Sequence, residues 1–310
     1  MKIHHEIEAP ATKRPLVLAI GFFDGFHRGH RAILTTLLRT RRPGYRAAVL
    51  TFRNHPATHL RPDRVPTLIS TLEERVDLLA ASGIDELFVV PFDDRIAKID
   101  ATAFCQTILH ETLGVRGLVI GENFRFGRDR QGDATLARDC LSALGVDVTA
   151  VAPLSDGEER VSSTRVRAAI ASGAMETADR LLGAAYAVRG RVVLGAGRGH
   201  DLGFPTANLF VSPEKTLPAD GVYAIVGRYD GRDYRGLVSI GTNPTFDGTS
   251  RTVEAWLLDF AHTIYGEELT LRDFRFIREQ RKFASADALL EQMRDDATHV
   301  RFPSFVTSPA

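Results

Sequence analysis

The residues best equipped for chemistry stand near the start of the chain, in the run Gly21-Phe22-Phe23-Asp24-Gly25-Phe26-His27-Arg28-Gly29-His30. It follows an apolar stretch, 16–20, and precedes a helical pattern over 31–39. A strand, a glycine-rich turn and a helix N-terminus together make an anion site, because the first backbone N–H groups of a helix lack intrahelical partners and the helix dipole is positive there. His27 and His30 can donate hydrogen bonds to a phosphate whose charge grows during attack, and Gly29 lets a phosphate approach the backbone with no Cβ in the way. Gly21, Phe23 and Asp24 complete the loop. The chemistry implied is nucleotide binding with reaction at phosphorus. Read alone, the ten residues also fit an ordinary strand–helix turn with solvated histidines.

A second set lies far downstream, in Gly195-Ala196-Gly197-Arg198-Gly199-His200-Asp201-Leu202-Gly203-Phe204-Pro205-Thr206-Ala207-Asn208. Its glycines can wrap a phosphate, and Pro205 fixes the approach to Thr206 and Asn208. It is not a Walker A sequence. A hydroxyl and an amide oxygen two residues apart on an extended chain point the same way, so Thr206 and Asn208 could hold Mg²⁺ against ATP phosphates. Further on, alternation over 252–258 puts Glu254 on one face with Trp256 and Leu258. A carboxylate among apolar neighbours has its pKa raised, which suits a general base; an edge-strand glutamate reaching solvent is the alternative.

These groups need a framework. Apolar, β-rich runs at 16–22, 47–52, 87–91, 117–120 and 146–151 alternate with helical patterns. Ser70-Thr71-Leu72-Glu73 reads as a capping box for a helix to Ser82, with Gly83 as its left-handed stop, and Asp100 and Asp133 read as caps of the next two helices. Such alternation predicts a parallel sheet covered on both faces, with ligands beyond the carboxyl ends of its strands. Two more polar segments fall at such ends. One is Gly121-Glu122-Asn123-Phe124-Arg125-Phe126-Gly127, an amide and a cation among aromatic faces. The other is Val161-Ser162-Ser163-Thr164-Arg165-Val166-Arg167, which offers hydroxyls, free N–H groups and guanidiniums at a helix start, or a plain N-cap with solvated arginines.

After Leu182-Gly183 the alanine-rich helical sequence gives way to short alternating strands at 186–194, 221–229, 234–241, 252–260 and 268–276, then a helix over 286–293 capped by Ser285. This predicts an antiparallel barrel or sandwich. The boundary falls near 183–186, giving domains 1–184 and 185–310, as the length of 310 residues also suggests.

Composition narrows the function. Lysine plus arginine equal aspartate plus glutamate at 39 each, so no global basic field holds nucleic acid. The apolar run near the N-terminus is too short to span a bilayer. Cys105 and Cys140 show no Cys-x-x-Cys spacing and read as small core residues. A soluble, cytoplasmic protein is expected.

The three segments of the first half, in this order and spacing, resemble the adenylyltransferase module of bacterial bifunctional riboflavin kinase/FAD synthetases, itself similar to the His-x-Gly-His nucleotidyltransferases. Gly-Phe-Pro-Thr-Ala-Asn over 203–208 resembles the ATP and Mg²⁺ motif of riboflavin kinases, and Arg251-Thr252-Val253-Glu254 resembles the motif whose glutamate is their base. The resemblance implies an α/β fold: an N-terminal Rossmann-like nucleotidyltransferase domain with a parallel sheet, and a C-terminal antiparallel β-barrel riboflavin kinase domain with a closing helix.

It also implies sites. In the first module ATP would meet Gly21, Phe23, Asp24, His27, Gly29, His30, Ser162, Ser163, Thr164 and Arg167, and the flavin would meet Phe52, Asn54, His55, Pro56, Asn123, Phe124 and Arg125. In the second, ATP would meet Gly195, Gly197, Gly203, Pro205, Thr206 and Asn208, the metal Thr206 and Asn208, and the flavin Asn243, Arg278 and Phe283. The implied catalytic residues are Glu254, His27 and His30, the metal Mg²⁺, the co-substrate ATP, and the substrates riboflavin and FMN. His200 stands where the family usually has an arginine, which makes that position less cationic. No nucleic-acid or membrane partner is implied, and a homo-oligomer stays open. The rival readings are a chain with one active module and a flavin carrier or regulator without turnover; the completeness of both motif sets, with Glu254 and both histidines, speaks against them.

Overall fold

A computed structural model describes residues 1–8, 14–194, 206–242, 251–281, 283 and 285–301. The chain divides into two compact units, Met1–Ser163 and Thr164–Ala310.

The first unit is built on a six-stranded, all-parallel sheet in the order β1-β4-β3-β2-β5-β6. Its strands are β1 (Lys2–His4), β2 (Leu16–Ile20), β3 (Arg46–Phe52), β4 (Glu86–Val90), β5 (Val115–Gly121) and β6 (Asp147–Val151). Every residue of β2, β3 and β4 is buried, which follows from their near-continuous apolar sequences and requires cover on both faces. One face packs Leu18, Ile20, Leu50 and Phe88 against Phe104, Leu109, Ala137 and Leu141. The other packs Ala19, Val49 and Leu87 against Leu34, Leu37 and Leu79. The covering segments are α1 (Arg28–Thr40), α2 (Ala57–Leu60), α3 (Leu72–Ala80), α4 (Asp94–Ala97), α5 (Ala101–Ala103), a π-helical stretch Phe104–Thr112, and α6 (Ala134–Ser142). A small hairpin, β7 (Ser155–Asp156) with β8 (Glu159–Arg160), ends the unit. Chain order leads outward from β2 through β3 to β4 and then returns to β5 on the other side of β2. The crevice at the carboxyl ends of β2 and β5 is therefore the switch point, where such sheets bind ligands.

Asp100 and Asp133 cap their helices through their Oδ1 atoms. The box before α3 sits one residue later than the sequence predicts: Thr71 is the N-cap and Glu74 its reciprocal partner, at 3.3 and 2.8 Å. Ser70 is unavailable for capping because its N–H donates to Asp24 and its hydroxyl accepts from the Gly25 N–H. β2 is also shorter than the expected 16–22 and stops at Ile20, because Phe22 and Phe23 already lead into the turn.

The second unit opens with α7 (Ser163–Ala171, its first residue still counted with the sheet) and α8 (Met175–Leu182), which ends on Gly183 in the left-handed region at φ 72°. The expected boundary at 184/185 follows these helices, whereas the division into compact units precedes them. A closed barrel follows, in the order β10-β13-β12-β11-β14-β9. Its strands are β9 (Ala187–Val193), β10 (Ala207–Phe210), β11 (Gly221–Tyr229), β12 (Arg232–Thr242), β13 (Arg251–Leu257) and β14 (Glu268–Arg278), all paired antiparallel. Val253, Ala255 and Leu257 of β13 are buried. The closing helix α9 (Ala286–Arg301) runs beyond the expected 293 and packs Ala297 and Val300 against Val222, Ala224, Leu237 and Leu258.

Candidate active sites

In the first unit the histidine run leaves β2 as a short 3₁₀ turn, Asp24–Phe26, and enters α1. The turn is strained: Phe23 and Phe26 have φ of 57° and 47°, where bulky side chains are rare. Asp24 holds it down. The carboxylate is 2% exposed and accepts from the N–H groups of Ile69, at 2.9 and 3.1 Å, and Ser70, at 3.0 Å. Gly25 has φ +75°, and a Cβ there would lie 2.6 Å from Ile69 Cγ2, so only glycine fits.

His27 is the N-cap of α1, its Nδ1 accepting from the His30 N–H at 3.3 Å. An Nδ1 that accepts leaves the proton of a neutral ring on Nε2, which is then a donor. The two imidazoles stack, with centroids 3.7 Å apart and planes 16° apart, and Phe23 meets His30 edge-on at 5.1 Å. Both rings are held neutral. Burial brings the His27 pKa down to about 4, helped by Arg160 and opposed by Asp24. Burial, His27 and Arg75 push His30 well below its ordinary value. The His30 Nδ1 is enclosed and has no hydrogen-bond partner among the described residues, a costly state. Gly29 serves the protein itself as well as any ligand, since a Cβ there would lie 3.0 Å from the His27 ring.

Around this pair, Ser163 Oγ donates to the Asp24 carbonyl at 3.1 Å. Phe22 meets His55 edge-on at 4.6 Å, and His55 Nδ1 accepts from the Ala57 N–H at 3.0 Å. Arg28 pairs with Asp156 at 3.5 Å, bringing the β7–β8 hairpin to the start of α1. From the same hairpin Arg160 reaches Asn123, whose amide oxygen, oriented by these bonds, accepts at 2.9 and 3.2 Å.

The barrel gathers its polar groups by register. Residues directly opposite in antiparallel strands point to one face. Asn208 of β10 lies opposite Glu254 of β13, Glu254 opposite Ser239 of β12, Ser239 opposite Val222 of β11, and Val222 opposite Arg278 of β14. Five strands thus contribute one row. Asn208 and Glu254 are half-buried, and Thr206 is half-buried just before β10. Gln280 Nε2 donates to Ser239 Oγ at 2.8 Å. Arg278 anchors the row to α9 by a bidentate pair with Asp296, at 3.1 and 2.8 Å, and lies 5.6 Å from the centre of the Phe283 ring. Asp296 is 1% exposed and also accepts from Gln292.

Comparison with known proteins matches both units. Residues 9–165 fit the FAD synthetase family model and residues 182–302 the riboflavin kinase model. A bifunctional riboflavin kinase/FMN adenylyltransferase of Escherichia coli strain K12 is 36% identical over 99% of this chain and 98% of its own length. The chain belongs to the bifunctional riboflavin kinase/FMN adenylyltransferase family. A member of that family from Listeria monocytogenes is 34% identical over 96% of both chains. A solved Streptococcus pneumoniae structure described as a macrolide-efflux protein matches with a TM-score of 0.88 and 31% identity over 97% of this chain and 99% of that one. No helix among the described residues is long and apolar enough to cross a membrane.

Within the riboflavin kinase/FMN adenylyltransferase framework the expected residues divide three ways. His27, His30, Gly29, Phe23, Asp24 and Ser163 come together at the switch point, although Phe23 is wholly buried and the Asp24 carboxylate serves the fold. Asn54 likewise bonds both ways to the Phe92 backbone, at 2.9 and 3.0 Å, and Phe52 packs on Phe92. Arg125 pairs with Asp133, the cap of α6, at 3.4 Å, and Phe124 stacks on Phe126. Ser162, half-buried, precedes α7; Thr164 and Arg167 lie on α7, while Pro56 starts α2. Gly195, Gly197, His200, Gly203, Pro205 and Asn243 lie outside the described residues. Sequence reasoning passed over Arg160, two residues before Ser162, and Arg75. Arg160 is signalled by charge beside a hydroxyl run, whereas Arg75 has the sequence setting of any solvated helix cation.

Proposed function

We propose a residue-level division of labour for two reactions, riboflavin phosphorylation to FMN in residues 185–310 and adenylyl transfer from ATP to FMN, giving FAD and pyrophosphate, in residues 1–184. The two activities are those of the family to which the chain belongs. In the barrel, Glu254 takes the proton of the terminal ribityl hydroxyl as that oxygen attacks the γ-phosphorus of ATP and ADP departs. Its place in the row beside Asn208 supports this role. Arg278 and Phe283, with Asn243, border the flavin.

The family's kinase chemistry calls for a divalent metal, and the donors beside Glu254 suit Mg²⁺. The Thr206 hydroxyl and Asn208 amide are hard oxygen donors, few in number, as fits a cation that keeps most of its shell from water and phosphate. When bound it neutralises phosphate charge.

In the first unit a phosphate oxygen of FMN attacks the α-phosphorus of ATP, and the bond to the β-phosphate breaks. His27 donates from Nε2 and His30 from its ring to the developing charge, while the start of α1 faces the phosphates. Ser162 and Ser163 form the second clamp; His55, Pro56, Asn123, Phe124 and Arg125 flank the flavin. The stacked, neutral pair His27–His30 at a helix start beside the switch point carries this reading. Two free cysteines, with burial raising the Cys105 thiol to about 12, suit a reducing cytoplasm.

The test is to incubate the protein with riboflavin, ATP and Mg²⁺ and resolve flavins over time. FMN followed by FAD is expected. Flavins that bind and do not turn over would replace this reading with a carrier.

A further inference from the structure

Arg75 of α3 has a setting that the reaction scheme does not use. Its side chain is 0% exposed. Nη1 donates to the Phe22 carbonyl at 3.0 Å, and Nη2 donates to the carbonyls of Phe52, at 2.8 Å, and Arg53, at 3.3 Å. The guanidinium carbon lies 4.1 Å from the centre of the Phe22 ring. No ion pair to Arg75 occurs among the described residues, and its Nε has no hydrogen-bond partner. Burying a cation is expensive: burial brings its pKa down to about 10, against the opposing charges of Asp24 and Glu73.

The three carbonyls lie just past the point where β2 and β3 stop pairing. The last β2–β3 pair is Ile20 with Leu50, followed by one bond from the Gly21 N–H to the Leu50 carbonyl. Beyond that point β2 becomes the histidine turn, while β3 stays paired with β4 through Phe52 and only then becomes the 53–56 loop. Thr51 Oγ1 also reaches across the gap, donating to the Phe22 carbonyl at 3.0 Å, and the Phe22 ring meets His55 edge-on. A planar fork can hold several carbonyls at fixed angles, whereas an ammonium is a point charge on a flexible stem.

We propose that Arg75 is a positioning residue for adenylyl transfer: its fork fixes the spacing of the chain at the ends of β2 and β3, and so holds the histidine turn against the 53–56 loop. The proposal rests on the adenylyl-transfer reading of the His27–His30 site. The cation's proximity to His30 also helps keep that imidazole neutral.

The test compares full-length Arg75→Lys, Arg75→Met and His30→Ala, following FAD formation from FMN and ATP with Mg²⁺, riboflavin phosphorylation in the same preparations, and thermal unfolding. Both Arg75 variants should lower kcat for FAD formation by about 10- to 100-fold, Lys included because the fork is lost with the charge kept. The KM for ATP should move less than kcat, and phosphorylation should stay within about twofold. A purely structural role would lower the unfolding temperature and leave kcat at lower temperature unchanged. A folded Arg75→Lys enzyme within about twofold of the parent in FAD formation overturns the proposal. So does a failure of both variants to fold, since Arg75 would then stabilise the whole unit. If His30→Ala also keeps full FAD formation, the site reading itself fails; if it alone is inactive, only the role of Arg75 does.

Discussion

The histidine site and the barrel site collect their polar groups by different routes. In the sheet unit, His27 and His30 are one helical turn apart; the capping bond from the His30 backbone N–H fixes the His27 ring, and the His30 ring stacks on it. In the barrel, Asn208, Ser239 and Glu254 are distant in sequence and meet through strand register. A local site depends on the shape of one turn. A register-built site depends on the whole sheet, so a change that preserves strand pairing can remove chemistry without disturbing its neighbours.

Four experiments test that contrast. Glu254→Gln keeps the shape of β13 and removes the base, so riboflavin phosphorylation should fall by about 10² to 10⁴ with adenylylation of supplied FMN unchanged. Parallel loss of both activities would mean that Glu254 supports more than its own strand. His30→Ala should cost FAD formation about 2.7–4 kcal/mol in activation free energy and spare FMN formation. Near-normal FAD synthesis by that variant would remove His30 from the mechanism.

Asp296→Ala probes the anchor of the barrel row, stranding Arg278 in its partly buried place. A loss of about 1.5–3 kcal/mol in urea unfolding is expected, with weaker riboflavin binding. Unchanged stability would make the pair ornamental to the fold.

The smallest effect concerns pH. His27 has its pKa lowered from 6.5 to about 4 in the folded chain, so between those values the unfolded chain binds a proton that the folded one refuses. Above 6.5 both states are neutral and no penalty arises; stability then falls as pH drops from 6.5 toward 4, with a slope approaching about 1.4 kcal/mol per pH unit for each such histidine. His27→Asn, which can still cap α1, should flatten the urea midpoint over this range; an unaltered slope would assign it to other groups.

What could be read from sequence follows the same contrast. The central strands and the histidine turn were legible because long apolar runs and glycine punctuation are local signals. The edge strand β1 was not, since three residues, Lys2–His4, make no pattern; it is placed by pairing with β4 and by His4 stacking on Phe88 at 4.5 Å. The π-helical stretch after α5 has no distinguishing periodicity. In the barrel, Glu254 was legible as a charge on an apolar face, but its neighbours Ser239 and Asn208 are a fact of pairing. Arg75 stayed hidden because the partners that reveal it are backbone carbonyls, which carry no side-chain signature.

Closure of the barrel has a further consequence. Each strand is hydrogen-bonded on both sides, β9 and β14 included, so no free edge can absorb a slip. One residue added within β13 would turn Glu254 to the opposite face, and restoring it would require a matching change in β10 and β12. The β11–β14 pair already carries register shifts, so a change of length here is expected in the connections or at such a bulge, and within β10, β12 and β13 it would move the polar row.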